Sequence, residues 1–406
     1  MIAERLGGAR FAEQTAVNKF ATLRKIKTEA IRKKPHLALI DMGEGDPDTP
    51  ADPRIVKVLA EEAGKSENRR YAFNGVPEFQ EAAAGYLEQV YGVKGLEVSK
   101  QILHGIGSKS ILGLLPMCLI NPGDVTLMTT PGYPITAIQT RYLGGEVYNL
   151  PLWEDNDFFP DLHAIPGEIA RRAKLLYINY PNNPTGRVAT RAFFESVVEF
   201  ALQNDIQVLH DATYASMRYD GARPLSFLNI EGADQVGVEV HSLSKMFSMT
   251  GWRLAFVAGK TQLIQAYGVA KNNTDCGQFR AIQKAGAFAL KNPQMIEEVC
   301  SKYSRRFDLL VSALNNVGFS ASKPKATLYS YVRRPSGTAT GRRFASATDF
   351  VEFLLKEALI ATVPWDEAGE YVRFSVTFEA ETPEAEKVVI HEMQKRLARL
   401  DLAFEE

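Results

Sequence analysis

The chain has 406 residues, 45% of them hydrophobic and 23% charged, a balance typical of a globular protein long enough for two domains. The formal net charge of −1 argues against nucleic acid or an anionic membrane as a partner and favours small-molecule chemistry. Three scattered cysteines without CxxC spacing predict a reducing compartment, and the charged first residues are unlike a signal peptide. We therefore expect a cytoplasmic protein.

In chain order, the first predicted element is a helix over residues 13–34 that is basic on one side, which we interpret as a solvated face. The middle of the chain then alternates short apolar runs with segments of helical length. This alternation predicts an α/β fold with a mostly parallel sheet. The predicted strands are 102–106, 125–129, 174–178, 206–210 and 236–240, with a further candidate at 254–258.

After residue 292 the pattern changes to a long helix followed by an α+β region. The segment RRPSGTATGRR (333–343) is rich in Gly, Ser and Thr and predicts an exposed loop. A small second sheet is predicted from the runs LYSYVRR and YVRFSVTF, with a helix at FASATDFVEFLLKEAL between them.

Polar or turn-forming residues follow directly after each of the first five predicted strands. In an open α/β sheet, ligands bind at the carboxyl ends of the strands, so these segments should converge on one site. They are GSKS, TPGYP, NYPNNPTG, DATY and HSLSK.

Short motifs also suggest other activities. SLSK at 242–245 matches the SxxK motif of acyl-serine hydrolases, but the SxN and KTG elements that should come after it are missing. The GKT at 259–261 lacks the first glycine of a P-loop, and the GEG at 43–45 lacks the third glycine of a dinucleotide-binding motif. Without HExxH or a Cys/His cluster in the sequence, no metal site is expected.

The polar segments together suit pyridoxal phosphate. A lysine amine can form a Schiff base with its aldehyde. The cofactor also needs a carboxylate for the ring nitrogen, donors for the phenolate, a phosphate cradle and an aromatic lid. Lys245 can supply the amine and Asp211 the carboxylate, while Tyr214 and Asn183 can reach the phenolate. Candidates for the phosphate and the ring face are Ser108, Lys109, Ser242, Arg253 and Tyr133.

The motifs between residues 43 and 376 resemble, in the same order, those of class I/II aminotransferases, pyridoxal-phosphate enzymes of the aspartate aminotransferase superfamily. The matching segments are GEGDPDTP, RRYAFNGVPEF, GIGSKS, PGYP, NYPNNPTG, DATY, SLSKMFSMTGWR and YVRFSV. The resemblance implies fold type I, with a mostly parallel seven-stranded sheet in a large domain and a smaller α+β domain. We expect the large domain at 46–300, and the small domain to combine 1–45 with 301–406.

The same resemblance implies the roles of single residues. Lys245 binds the cofactor and shuttles a proton, with Asp211 and Tyr214 as its catalytic partners. Arg373 holds the α-carboxylate of the substrate. Asn183 and Gly45 lie beside that arginine, and Tyr71 reaches the phosphate of the neighbouring subunit, which implies a homodimer with shared active sites.

Within the family, GVEVHSLSKMFSMTGWR, NNTDCGQFRAIQKAG and VPWDEAGEYVRFSVTF most resemble the LL-diaminopimelate aminotransferases. That likeness implies ping-pong transfer of an amine from LL-diaminopimelate to 2-oxoglutarate, in lysine biosynthesis. Two segments depart from the pattern: VPWDEAG (363–369) replaces a common PG-x-x-FG, and YAFNGV lacks the acidic residue of plant-type members. An aspartate, alanine or aromatic aminotransferase and a pyridoxal-phosphate-dependent lyase therefore stay open. A DNA-binding cofactor sensor would need more than the first 45 residues.

Overall fold

The computed structural model describes residues 2–10, 19–223 and 225–405. Its strands, numbered in chain order, are β1 (Ile40–Asp41), β2 (Ile102–Gly105), β3 (Val125–Thr130), β4 (Glu146–Pro151), β5 (Ala173–Asn179), β6 (Gln207–Asp211), β7 (Gly237–Ser242), β8 (Ala255–Gly259), β9 (Tyr329–Arg333), β10 (Gly337–Thr338), β11 (Ile360–Ala361), β12 (Val363–Trp365), β13 (Tyr371–Ser375) and β14 (Leu402–Ala403).

The central sheet has seven strands in the order β2-β8-β7-β6-β5-β3-β4. Strand β8 is antiparallel to both of its neighbours, and the other six strands run in one direction. The predicted α/β fold with a mostly parallel sheet is confirmed, as are all six predicted strands. Strand β4 was not predicted, because it lies at the sheet edge with half of its residues exposed and has no continuous apolar run.

Helices connect and cover the strands. The α-helices are Lys19–Lys33, Pro53–Ala63, Pro77–Tyr86, Val98–Gln101, Ser108–Leu114, Ile135–Tyr142, Gly167–Arg172, Arg191–Asn204, Ala233–Val236, Leu243–Met246, Thr261–Asn272, Arg280–Lys291, Met295–Asn315, Ala347–Ala358 and Pro383–Ala398. The predicted helix over 13–34 is confirmed from Lys19 onward, and its residues 13–18 lie outside the described part of the chain. Several helices begin at a side-chain cap; the Ser346 hydroxyl, for example, accepts a hydrogen bond from the Asp349 N–H.

Both faces of the central sheet are buried. Alternate residues of β5 point to opposite faces, so that Leu176 and Ile178 join one core cluster while Leu175 and Tyr177 join another. The first cluster includes Phe194, from the helix Arg191–Asn204. Burial on both sides explains why the strands are continuous apolar runs rather than alternating ones.

Smaller sheets lie in the C-terminal part. The order β12-β13-β9 is antiparallel, and β1 pairs with β11, which ties residues 40–41 to the C-terminal region. The predicted second sheet is thus confirmed. The prediction of an exposed loop over 333–343 was wrong in part, because the buried Gly337 and Thr338 form β10 and pair with β14. A Cβ at Gly337 would stand 2.0 Å from the Arg342 carbonyl oxygen, so this glycine allows close backbone contact rather than exposure.

None of the helices over the described ranges has both the length and the apolar character that a membrane span requires.

Candidate active site

The sheet topology brings distant residues to one edge. Asp211 and Ser242 are the last residues of the parallel strands β6 and β7. Arg253 precedes β8, which runs the other way, so it reaches the same edge. A cavity of about 550 Å³ opens there. Every predicted site residue except Tyr71 lines it: Gly45, Ser108, Lys109, Tyr133, Asn183, Asp211, Tyr214, Ser242, Lys245, Arg253 and Arg373.

Lys245 lies in the short helix Leu243–Met246, which begins where the Ser242 hydroxyl accepts a hydrogen bond from the Ser244 N–H. Its amine donates to the Gly45 carbonyl at 2.9 Å and to Asp46 Oδ1 at 3.0 Å. Its side chain is only 13% exposed. Its acidic partner Asp46 lies almost 200 positions earlier in the chain, so the sequence around Lys245 gives no indication of this ion pair.

Asp211 is a buried residue that lines the cavity. Its Oδ1 accepts from the Thr213 hydroxyl at 2.6 Å and its Oδ2 from the Tyr177 hydroxyl at 3.1 Å. Burial raises the pKa of the Asp211 carboxyl, although these hydrogen bonds act in the opposite direction. A buried carboxylate in this position is stabilised by any cation that enters the cavity above it.

A buried charge network lies directly behind Asp211. The Glu239 carboxylate is bound by His210 at 2.9 Å, by His241 at 2.6 Å and by the Ser226 hydroxyl at 2.8 Å. The other ring nitrogen of His210 lies 2.8 Å from the Tyr180 carbonyl oxygen. Both nitrogens of His210 therefore lie within hydrogen-bond distance of buried oxygen atoms, and this fixes the ring next to Asp211.

A second set of contacts surrounds Arg373. The guanidinium donates to Asn183 Oδ1 at 2.9 Å and to the Gly43 carbonyl at 2.6 Å. It also lies 4.1 Å above the ring centroid of Tyr329. The Tyr329 hydroxyl is 2.7 Å from the Tyr214 hydroxyl, so a single ring contacts both residues. The buried Nε of Arg373 has no hydrogen-bond partner among the described residues.

Glycines make room for two of these contacts. Gly107 has a φ of +74°, and a Cβ there would stand 2.2 Å from Arg253 Nη2. A Cβ at Gly45 would stand 2.0 Å from the Tyr329 hydroxyl. Arg253 itself has a φ of 57° and donates to the Thr250 carbonyl at 2.8 Å. The site is therefore built on close backbone approach at both ends.

Tyr71 is the one predicted site residue that lies apart from the cavity. It is 70% exposed, and its ring centroid is 5.7 Å from that of Phe73, which is also exposed. The Tyr71 carbonyl accepts a hydrogen bond from Arg280 at 2.8 Å. Tyr71 is thus exposed on the surface beside a second aromatic ring and does not line the cavity of its own chain.

Sequence reasoning missed several residues of the site. Tyr177 and Thr213 hold Asp211. Asp46 was a candidate for the distal end of the substrate, but its pairing with Lys245 was not predicted. Thr213 could have been found, because it stands two residues after Asp211 in the quoted segment DATY. Tyr177 and Tyr329 could not have been found. Tyr177 lies inside the apolar strand β5 and Tyr329 begins β9, so both resemble core aromatics.

Comparison with known proteins agrees with this arrangement. Residues 38–389 match the family model for aminotransferase class I and II. The LL-diaminopimelate aminotransferase of Methanocaldococcus jannaschii is 49% identical over 100% of this chain and 98% of its own length. The enzyme of the same name from Methanococcus maripaludis is 47% identical over the same shares. Among solved structures, substrate-bound BacF from Bacillus subtilis has a TM-score of 0.86 at 31% identity, covering 94% of this chain and 95% of its own.

An α/β fold with a lysine and a buried carboxylate at the carboxyl edge of its sheet defines a fold type I enzyme that uses pyridoxal phosphate. The chain belongs to the class I and II aminotransferases and is a pyridoxal-phosphate-dependent transaminase. The cavity fits this cofactor. It presents an amine, a buried carboxylate and phenol donors to one space, and the missing Cβ of Gly107 lets the Arg253 guanidinium lie against its backbone.

Proposed function

We propose that this transaminase takes the amino group of LL-diaminopimelate and passes it to 2-oxoglutarate. The observation that carries the proposal is the identity of 47–49%, over essentially the whole chain, to two enzymes named for that donor. The amino acid gives up its amine in a first half-reaction, and the 2-oxo acid receives it in a second, so the mechanism is ping-pong.

The residues proposed to hold the cofactor follow from the sequence motifs and their shared cavity. Lys245 attaches it, Asp211 pairs with its ring nitrogen, and Tyr214 and Asn183 bind its phenolate oxygen. Ser108, Lys109, Ser242 and Arg253 bind its phosphate, and Tyr133 covers its ring. When bound, pyridoxal phosphate supplies an aldehyde that takes up the amine and a ring that withdraws electrons from the substrate α-carbon.

The chain's own groups then act on the substrate. Arg373 binds the α-carboxylate, for which its partnerless Nε provides a further donor in a planar, permanently charged fork. Asn183 and the Tyr329 ring fix the guanidinium from two sides. Lys245 Nζ removes the proton from the substrate α-carbon. To do so the amine must be uncharged and released from its hydrogen bonds to the Gly45 carbonyl and Asp46.

The test is a screen of amino donors against 2-oxoglutarate, with both products identified. LL-diaminopimelate should give the highest kcat/KM, and alanine and aspartate should react weakly. A pocket built for two distal charges rejects donors that leave its polar groups unpaired. A higher kcat/KM for alanine, aspartate or an aromatic amino acid would overturn the substrate. Repeated turnover of the donor without any 2-oxo acid, beyond one equivalent of product per active site, would instead indicate a lyase.

The assembly and organisation proposed here are those of the family. The large domain is 46–300, and the small one combines 1–45 with 301–406; we place the enzyme in the cytoplasm. It acts as a homodimer in which the exposed Tyr71 enters the partner's cavity. Mixing Tyr71→Ala with Lys245→Ala subunits should restore activity, because a hybrid dimer contains one intact site. No recovery after proven subunit exchange would contradict this role for Tyr71.

A further inference from the structure

One end of the cavity carries charged side chains that the proposed chemistry does not use. Lys27 and Arg24 line it from the helix Lys19–Lys33, and Asp41 and Glu44 line it from the segment that follows. Lys27 donates a hydrogen bond to Asp41, and its Nζ is 3.5 Å from Glu44 Oε1. Charges of both signs therefore meet at one point on the cavity wall.

This charged group lies close to the arginine that is proposed to bind the substrate. Arg373 donates to the Gly43 carbonyl at 2.6 Å, and the Gly43 N–H donates to Asp41 Oδ1 at 2.9 Å. Gly43 therefore links Arg373 to Asp41, and Lys27, Asp41 and Arg373 line the same cavity. A donor held by its α-carboxylate at Arg373 has this charged group within the same space.

Lys27 remains charged although it is partly enclosed. The side chains of Lys27 and Asp41 are 25% and 27% exposed. Burial opposes the charge of Lys27, but Asp41 and Glu44 outweigh it and raise the pKa of the Lys27 amine above its usual value. Glu44 is 70% exposed and so lies on the solvent side of the pair.

We propose that Lys27 binds the distal carboxylate of the amino donor, and that Asp41 with Glu44 binds its distal ammonium. This assignment rests on the proposed function and names the residues that select its substrate. A donor with only an apolar side chain would satisfy neither sign, and an acidic donor would satisfy only Lys27. A donor whose far end is itself an amino-acid head group satisfies both.

Two ion pairs with the donor can replace the ion pair between Lys27 and Asp41. When the distal ammonium reaches Asp41 and the distal carboxylate reaches Lys27, each protein charge keeps an opposite partner throughout. Neither is left unpaired in a partly enclosed site, which is the costly outcome for a buried pair.

The experiment compares three donors that differ only at the far end. LL-diaminopimelate has both distal charges, 2-aminopimelate lacks the ammonium, and lysine lacks the carboxylate. The donor half-reaction is followed by absorbance in the holoenzyme without any 2-oxo acid, so that effects on 2-oxoglutarate binding do not enter. The variants are Lys27→Gln and Asp41→Asn.

Lys27→Gln should lower the half-reaction kcat/KM about 10- to 100-fold for LL-diaminopimelate and 2-aminopimelate but leave lysine unchanged. Asp41→Asn should do so for LL-diaminopimelate and lysine but leave 2-aminopimelate unchanged. Lys34→Gln is the matched control, because Lys34 directly follows the helix that carries Lys27, donates to the Glu357 carbonyl at 2.7 Å and does not line the cavity. It should change none of the three donors.

An equal loss for all three donors in Lys27→Gln would mean that Lys27 only anchors its helix, and the inference would fail while the proposed function stands. No loss for any donor would overturn it as well. If the unmodified enzyme does not prefer LL-diaminopimelate to both analogues, the proposed function itself fails. Lys27→Arg should keep the wild-type order of the three donors, which separates loss of charge from loss of fold.

Discussion

The two ends of the cavity are built from different kinds of structure. At the inner end, Asp211 and Ser242 end neighbouring strands of the central sheet and are 5% and 2% exposed. At the outer end, Lys27 and Asp41 come from a helix and a two-residue strand, and water reaches about a quarter of each side chain. Groups proposed for the chemistry are thus fixed by the sheet, whereas groups proposed for selecting the donor are held by ion pairs. Precise positioning matters more for bond changes than for binding a flexible far end.

The largest effect should come from the inner end. Lys245→Ala should lower the half-reaction rate on the order of 10⁴-fold, because it removes the proposed attachment point and the proposed base. Borohydride reduction followed by mass spectrometry should find a covalently attached cofactor in the wild-type chain and none in the variant. Lys260→Ala is the control, since Lys260 binds Gln207 outside the cavity. An undiminished adduct in Lys245→Ala would disprove the assignment.

The second prediction concerns what supports each end. Burial opposes the charge of Glu239, but His241 and His210 outweigh it and hold the pKa of Glu239 well below its usual 4.5. Glu239→Gln should therefore cost about 3–5 kcal/mol of stability, since it breaks the buried pairs of the Glu239 carboxylate with His210 and His241. Thermal unfolding at fixed protein concentration measures this cost. Asp41→Asn, at the outer end, should cost no more than about 1 kcal/mol.

The pH dependence of that difference has a definite sign. A carboxyl whose folded pKa is depressed contributes its full stability above its unfolded pKa and loses it as the pH falls. The gap between wild type and Glu239→Gln should therefore be full at pH 7 and narrow below about pH 4.5. Glu352→Gln, which breaks an exposed pair with Lys356, is the control and should show almost no gap. A gap that widens in acid would contradict the charged assignment of Glu239.

The third prediction ranks two groups within the inner end. Asp211→Ala should slow the half-reaction by about 10- to 100-fold, because it removes the proposed charge-assisted hydrogen bond to the cofactor ring. Tyr214→Phe removes one neutral hydrogen bond and should cost about 0.5–1.5 kcal/mol, or less than roughly tenfold. Stopped-flow rates with saturating donor measure both. The reverse order would show that the ring nitrogen is not held by Asp211.

The inner end could be predicted from sequence because its residues follow strands. Each βα unit has an apolar run followed by a turn and a polar group, so the sequence alone predicts that Asp211, Asn183 and Ser242 lie at one edge of the sheet. The antiparallel β8 was not foreseen, yet Arg253 arrives at the right edge because it precedes that strand.

The outer end could not be predicted in the same way. Lys27 lies on a helix whose basic face was interpreted as solvated, and its contact with Asp41 depends on how that helix packs. Asp46 reaches Lys245 across 199 positions of sequence, and no local pattern encodes such a distance. Contacts between remote segments follow from packing, and only a structure supplies it. Tyr329 is the clearest case, since it resembles a core tyrosine in the sequence and contacts both Tyr214 and Arg373 in the structure.

The smallest effect should come from Tyr329, which contacts both Tyr214 and Arg373. Tyr329→Phe keeps the ring beneath Arg373 and removes only the hydroxyl that meets Tyr214. It should slow the half-reaction at saturating donor by less than roughly tenfold, the value of one neutral hydrogen bond, with the donor concentration at half-maximal rate unchanged. Tyr329→Leu also removes the ring from the guanidinium and should raise that concentration by the equivalent of about 0.5–2 kcal/mol. If Tyr329→Phe instead raises the concentration and spares the rate, the hydroxyl serves the donor rather than Tyr214.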